Sequence, residues 1–343
     1  MMQSQNKHYF YLDVVRGVSA LCIVLYHYTT RYIENPITDN EAKVDWALTF
    51  PWGCAAVSTF FILSGFLTAK YLFSGDDNLN FKSAIQFIRN RIIRLYPAFV
   101  VAMFTTMLFL YFGFGVNIPL KRVLCNLTML PALFSQPAID GVYWTLQIEL
   151  FFYMGIAVLM LLNNVKTIKI MLLLLVITPL LYCVDNSIIH TVSNIIFISD
   201  YISTFVAGIS IYLITQTKEN KFAYFLLLIS FISQLFLFDI VHIVLFVVTI
   251  VVVYYIAKFN WSKGADNLLL RLLKWIGDIS YPLYLIHQML GFVIIYNIQI
   301  LFKITSEWIV VIPIVFSVAY AYLVHKYIEL PVQLIIKKYN KSR

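Results

Sequence analysis

One segment near the N-terminus, LDVVRGVSALCIVLYH, places Asp13, Arg16 and His27 in an otherwise apolar run. Ionisable groups in such a run are costly to bury, so each marks a functional position by default. On a helix, the step from Arg16 to His27 returns to within about 20° of the same face and climbs roughly 16 Å. Asp13 falls near the same stripe. One helix therefore carries a cation at one end of a path and a proton acceptor at the other. An imidazole titrates near neutrality and suits general acid–base work. The plainer readings are a snorkelling interface arginine and a hydrogen-bonded packing histidine. The shared face argues against both.

Other polar groups interrupt apolar runs further on. Glu149 stands in GVYWTLQIELFFYMG with no local basic partner, so a partner from another helix is expected. Tyr143 and Trp144, at the head of that run, suit a membrane-interface belt. In FIRNRIIRLYP, Arg91 and Arg94 are spaced to share a helical face, with Arg89 close by. Paired guanidiniums offer forked donors that fit phosphate, although any cytoplasmic segment shows some arginine. Ser58, Ser64 and Gly65 in VSTFFILSGFLTAKYL are small residues that let helices approach closely. Ser64 lacks an activating base in sequence and is a packing residue before it is a substrate contact.

Two later segments add to the set. IGDISYPLYLIHQM holds Asp278, Ser280, Tyr281 and His287, with Asp278 and Tyr281 as neighbours at i, i+3 and Pro282 able to kink the helix. HKYIELP pairs His325 with Glu329 at i, i+4, a structural spacing. His190 and His242 fall near outer ends of runs without polar company. Cys22, Cys54, Cys125 and Cys183 are isolated, and their spacing marks neither a metal site nor a redox pair.

The elements that must position these groups follow from composition. Of 343 residues, 61% are apolar and only 12% charged, about half the charged share of a soluble domain. Mean hydropathy is +0.82. Lipid is the solvent that tolerates such a chain, and the backbone must then pair within each segment. The expected fold is an all-α polytopic membrane helix bundle of about ten transmembrane helices. The spans fall near 11–30, 53–73, 95–115, 141–162, 169–184, 195–215, 222–238, 241–257, 275–297 and 308–326, with the division near Asp239 the least defined. The first run holds Asp13 and Arg16, which a cleaved signal segment would not tolerate. The whole chain, 1–343, reads as a single domain with no room for a large soluble one.

The formal net charge of +8 follows topology rather than nucleic acid. With the N-terminus in the cytoplasm, Arg31, Lys43, Lys121, Arg122 and Lys303 are the only basic residues outside, and the other 20 of the 25 Lys and Arg lie inside. Both termini are then cytoplasmic, which requires an even number of spans. Two outer loops are long. One, about 31–52, carries Glu34, Asp39, Glu41 and Asp45; the other, about 116–140, carries Pro119, Pro131 and Pro137. Long loops either serve function or cover the bundle.

The segments above occur in an order that resembles the membrane-bound acyltransferase-3 family of bacterial surface-glycan O-acyltransferases. The order is LDVVRGVSALCIVLYH with its Arg-x10-His, then FFILSGFL, RNRIIRLYP, YWTLQIELFFY, SYPLYLIH and IELP. The family's Trp-Ser-Leu reads Trp144-Thr145-Leu146 here. The resemblance implies acetyl transfer from cytoplasmic acetyl-CoA, a co-substrate with no bound cofactor or metal, to a glycan hydroxyl beyond the inner membrane. It implies that His27 is the key catalytic residue, that Arg16 is required, and that Arg91 and Arg94 serve the donor. Glu149 joins His27 as a catalytic candidate, to orient an imidazole or pair with an arginine. Trp144, Ser64, Tyr281 and His287 are further candidate substrate contacts. Partners are acyl-CoA, the glycan and the bilayer. The oligomeric state is not legible. The competing expectations are succinyl as the acyl group, and a glycan transporter whose polar helices line a path.

Overall fold

Long apolar runs become helices because a helix satisfies the backbone within the segment in lipid, and glycine or proline inside them is tolerated there. The computed structural model describes residues 10–34, 46–73, 79–181, 200–216, 220–259 and 267–341, and every regular element among them is helical. Seven stretches are long and apolar enough to cross a membrane: Phe10–Arg31, Pro51–Phe73, Phe81–Phe114, Gly141–Leu161, Ile240–Lys258, Ser280–Phe302 and Glu307–Ile335. Two shorter apolar helices, Ile202–Gln216 and Lys221–Leu237, accompany them. The protein is thus a multi-pass membrane protein. His190, Cys183, Lys43, Asp39, Glu41 and Asp45 lie outside the described residues.

In chain order the α-helices are α1 (Phe10–Tyr26), α2 (Val57–Phe73), α3 (Phe81–Phe114), α4 (Leu120–Leu127), α5 (Trp144–Leu161), α6 (Val165–Leu181) and α7 (Ile202–Gln216). They continue as α8 (Lys221–Leu237), α9 (Ile240–Lys258), α10 (Leu268–Asp278), α11 (Ser280–Phe302), α12 (Val311–Val324) and α13 (Leu330–Lys341). Two single π-helical turns, His27–Arg31 and His325–Glu329, continue α1 and α12. The chain divides into two compact units: residues 1–19, 55–83 and 158–278, and residues 20–54, 84–157 and 279–343.

The first unit is held by glycine-mediated crossings. A Cβ on Gly65 would lie 2.0 Å from the Phe205 carbonyl oxygen, and one on Gly208 would lie 2.0 Å from that of Ile62. α2 and α7 therefore meet backbone to backbone, as small residues permit in lipid. The same device joins α1 to α10, where Gly17 abuts the Leu273 carbonyl and Gly277 that of Asp13. Around the first crossing, Leu12, Ile62, Leu63, Phe66, Phe246 and Val253 form a buried apolar cluster. Polar residues in this unit pair internally, Gln234 Nε2 donating to Ser203 Oγ at 2.7 Å and Thr59 Oγ1 meeting Thr249 Oγ1 at 3.0 Å.

Several sequence expectations need correction. The third span begins at Phe81, so the arginine segment is part of one 34-residue helix that continues through Pro97. The ninth span is two helices. Asp278 ends α10, and Ile279 breaks the chain before α11 starts at Ser280. Asp278 pairs with Lys274 at 2.7 Å. Pro282 sits in the first turn of α11, where a missing N–H costs nothing, so it starts the helix and does not kink it. His242 has polar company after all. Asp239 caps α9 through the Val241 and His242 N–H groups and meets the His242 ring at 3.0 Å. That N-cap, with its carboxyl held below the usual range mainly by these donors, settles the division between α8 and α9.

Candidate functional site

α1 ends where its winding changes. At His27 the chain enters a π turn, whose i→i+5 bonding puts more residues into the turn and shifts the direction of the side chains, and such turns occur frequently at functional sites. Here it turns His27 and Tyr28 together toward α11. The two rings His27 and His287 meet edge to face, 4.7 Å between centroids and 72° between planes. His27 Nδ1 lies 3.0 Å from His287 Nε2 and 2.9 Å from the Ile23 carbonyl oxygen. His287 Nδ1 lies 2.9 Å from the Tyr284 carbonyl and 3.2 Å from that of Leu283. His287 is fully buried, whereas His27 is partly exposed.

Tyr28 fixes the pair from the side. Its hydroxyl donates to the His287 carbonyl at 2.7 Å and accepts from Ser317 Oγ at 2.6 Å. The Tyr28 ring occupies the space a side chain at 291 would fill: a Cβ on Gly291 would lie 2.0 Å from it. Two residues along, the Met289 N–H donates to Asp140 Oδ2 at 3.3 Å, and Asp140 Oδ1 accepts from Val142 N at 3.2 Å. Asp140 is fully buried, and burial lifts its carboxyl to about 7. Asp140 is presented by the second long loop. There Arg122 donates to the Pro137 and Ala138 carbonyls, and Asn126 braces Pro137 and Ile139. Close by, Thr145 donates to the Tyr284 hydroxyl at 2.9 Å, which donates to the Val142 carbonyl at 3.3 Å.

A second polar group gathers on α3, α5 and α11 in the same unit. Tyr281 donates to the Leu95 carbonyl at 2.9 Å, tying α11 to α3. Glu149 accepts from the Tyr153 hydroxyl. Arg91 stacks over the Phe87 and Tyr153 rings at 5.3 and 4.7 Å, a cation–π arrangement. Glu149, Glu329 and Arg94 all lie within electrostatic reach of Tyr281. The buried Glu329 bonds His325 at 2.7 Å. Arg94 is half-buried and makes no ion pair among the described residues.

The sequence-predicted residues thus sort into three places. His27 and His287 form one pair. Glu149, Arg91, Arg94 and Tyr281 form the second polar group. Arg16 and Ser64 belong to the other compact unit, where Arg16 pairs with Asp13 at 3.2 Å and Ser64 lies beside the Gly65 crossing. Trp144 is partly exposed at the start of α5. Three residues escaped the sequence reading: Tyr28, Asp140 and Tyr153. Tyr28 is one more aromatic in an aromatic-rich chain. Asp140 carries a signal that was available: an acid just before a helical run is a preferred cap. Among the described residues, no group of three or more His, Cys, Asp or Glu gathers as metal ligands.

A family model described as an acyltransferase domain, that of the acyltransferase-3 family, matches residues 9–325. No curated protein and no solved structure matches the chain.

Proposed function

The chain belongs to the acyltransferase-3 family and is a membrane acyltransferase; we propose that it carries an acetyl group from cytoplasmic acetyl-CoA to a hydroxyl of a bacterial surface glycan or its lipid-linked precursor, in the inner membrane. The observation that carries this reading is the histidine pair. A partly exposed imidazole backed by a buried one suits a proton acceptor for an attacking hydroxyl.

In the proposed step, His27 takes the proton of the glycan hydroxyl as its oxygen attacks the thioester carbonyl. The new C–O bond forms, the C–S bond breaks, and the departing thiolate recovers the proton from His27. The products are an O-acetyl ester and free CoA thiol. Positioned proton transfer of this kind contributes roughly 10²–10⁴-fold. Arg94 and Arg91 would hold the anionic nucleotide end of the donor, with Glu149, Tyr153 and Tyr281 setting their orientation. The resemblance implies a requirement for Arg16, which pairs with Asp13 in the other compact unit.

Inverted membrane vesicles loaded in their lumen with a polysaccharide acceptor and given radiolabelled acetyl-CoA outside test this directly. Label in the glycan is expected, and it should vanish in His27→Ala while the variant still inserts and melts like the parent. An active, folded His27→Ala protein would remove the general base. Movement of intact glycan without label would make the protein a transporter. Label only from succinyl-CoA would change the acyl group.

A further inference from the structure

The histidine pair has an internal order that hydrogen-bond counting fixes. His287 Nδ1 faces two carbonyl oxygens, Tyr284 at 2.9 Å and Leu283 at 3.2 Å, so that nitrogen must carry a hydrogen. A neutral His287 then offers a lone pair at Nε2. His27 Nδ1, 3.0 Å from that lone pair and 2.9 Å from the Ile23 carbonyl, faces acceptors on both sides and must itself carry a hydrogen. The reverse arrangement, with hydrogen on His287 Nε2, needs a cationic His287 and sets the lone pair of His27 Nδ1 against the Ile23 carbonyl. One assignment satisfies every partner. It leaves two bare nitrogens in the pair: His287 Nε2, which accepts from His27, and His27 Nε2.

Burial gives the pair a direction. His287 is fully enclosed, so no substrate reaches it; His27 is the partly exposed member. The chain is also gripped at two points. The His27 ring holds the His287 ring, while the adjacent Tyr28 hydroxyl holds the His287 backbone carbonyl at 2.7 Å. Asp140 takes the N–H of Met289, two residues on. A side chain held this way cannot swing to meet a ligand.

Resting on the acyl-transfer reading above, we infer that His287 is a positioning residue: its Nε2 accepts the Nδ1–H of His27, holds that ring in a single tautomer, and presents His27 Nε2 to the acceptor hydroxyl. When His27 takes the hydroxyl proton at Nε2, its Nδ1–H still points at the His287 lone pair. The second imidazole thus faces the positive charge as it develops, the part a carboxylate plays behind a catalytic histidine in serine hydrolases. No proton is gained or lost by His287 over the cycle.

Two measurements test this in the full-length protein in membranes. In the first, ¹⁵N-histidine NMR near neutral pH, with the His27 signals assigned by their loss in His27→Ala, is expected to show His27 protonated at Nδ1 and bare at Nε2. The opposite tautomer would overturn the assignment. In the second, acyl transfer is measured in His287→Ala and His287→Gln. Glutamine keeps an oxygen acceptor where Nε2 stood. Alanine should lower kcat by about 10²-fold, the lower end of what a positioned base supplies, with KM for acetyl-CoA within about twofold. Glutamine should recover at least about tenfold of that loss. Full activity in the alanine variant, or equal loss in two folded variants, would overturn the role. If alanine fails to fold, the glutamine variant and the NMR experiment decide. Activity in His27→Ala would instead sink the acyl-transfer mechanism itself, which separates the two failures.

Discussion

Asp140 shows how one residue serves both the scaffold and the site. Its carboxyl sits in full burial between the N–H groups of Val142 and Met289, and burial raises it from the ordinary carboxylate range to about 7. The folded state therefore binds more protons than the unfolded one between roughly pH 4 and 7. This contribution to stability is complete below about pH 4 and declines as pH rises to about 7. Asp140→Asn removes the titration while keeping an oxygen acceptor. Its melting temperature, relative to the parent, should rise progressively across that window and then level. A difference that stays flat from pH 4 to 8 would mean the carboxyl is not held neutral by burial. The arginines make a second prediction at this scale. Arg91→Ala with Arg94→Ala should raise KM for acetyl-CoA by about tenfold or more, since each lost charge-assisted bond is worth roughly 1.5–3 kcal/mol. Unchanged donor binding would show that Arg91, already stacked on Phe87 and Tyr153, is structural.

Helices are where the sequence was most readable, and their ends were least so. Residues 53–73 and 141–162 were legible because their apolar runs are long and sharply bounded, and helices occupy Pro51–Phe73 and Gly141–Leu161. α10 was misread because its apolar residues run straight into those of α11, with the break at Ile279, a residue with no turn chemistry. The arginine segment reads as a helical face outside the span expected from 95, because charge signals the membrane surface, yet it and the span form one helix, α3. The His27–His287 pair was half legible. Both residues stood out as ionisable groups in apolar runs, but no pattern in one strand of sequence says that position 27 meets position 287. The π turn that aims His27 also leaves no compositional mark. Helix crossings leave a clearer one. Gly65 and Gly208 each put backbone against backbone, so Gly208→Leu must drive α2 and α7 apart. Overpacking typically costs about 1–3 kcal/mol, and a backbone clash exceeds what side-chain adjustment absorbs. The variant should melt well below the parent or fail to accumulate, whereas Gly155→Leu, where a Cβ meets nothing within 4 Å, should behave as the parent. Equal stability of the two variants would refute the crossing.

At the scale of the whole chain, the proposed chemistry needs two sides: a nucleotide donor from within and a glycan beyond the membrane. The distribution of charge assigns those sides. Twenty of 25 Lys and Arg fall on one set of loops, leaving Arg31, Lys43, Lys121, Arg122 and Lys303 for the other. With the N-terminus inside, as that bias predicts, Arg91, Arg94 and the basic C-terminus would lie with the donor, and the loop that carries Asn117 and Asp140 with the acceptor. The seven long apolar stretches and two shorter apolar helices among the described residues do not set the parity of crossing; the expectation of an even number rests on the charge bias alone. The intact protein can decide this. A reporter active only in the cytoplasm, fused after Arg343, should be active. In a background with the four native cysteines replaced by alanine, Asn117→Cys should react with a membrane-impermeant thiol reagent added to sealed, right-side-out cells, and Lys82→Cys should react only after the membrane is opened. A silent reporter together with reversed labelling would invert the bundle and place the arginines opposite the donor. A silent reporter with labelling as expected would instead mean an odd number of crossings after α3, which would confine the error to the later helices and leave the donor side of Arg91 and Arg94 intact.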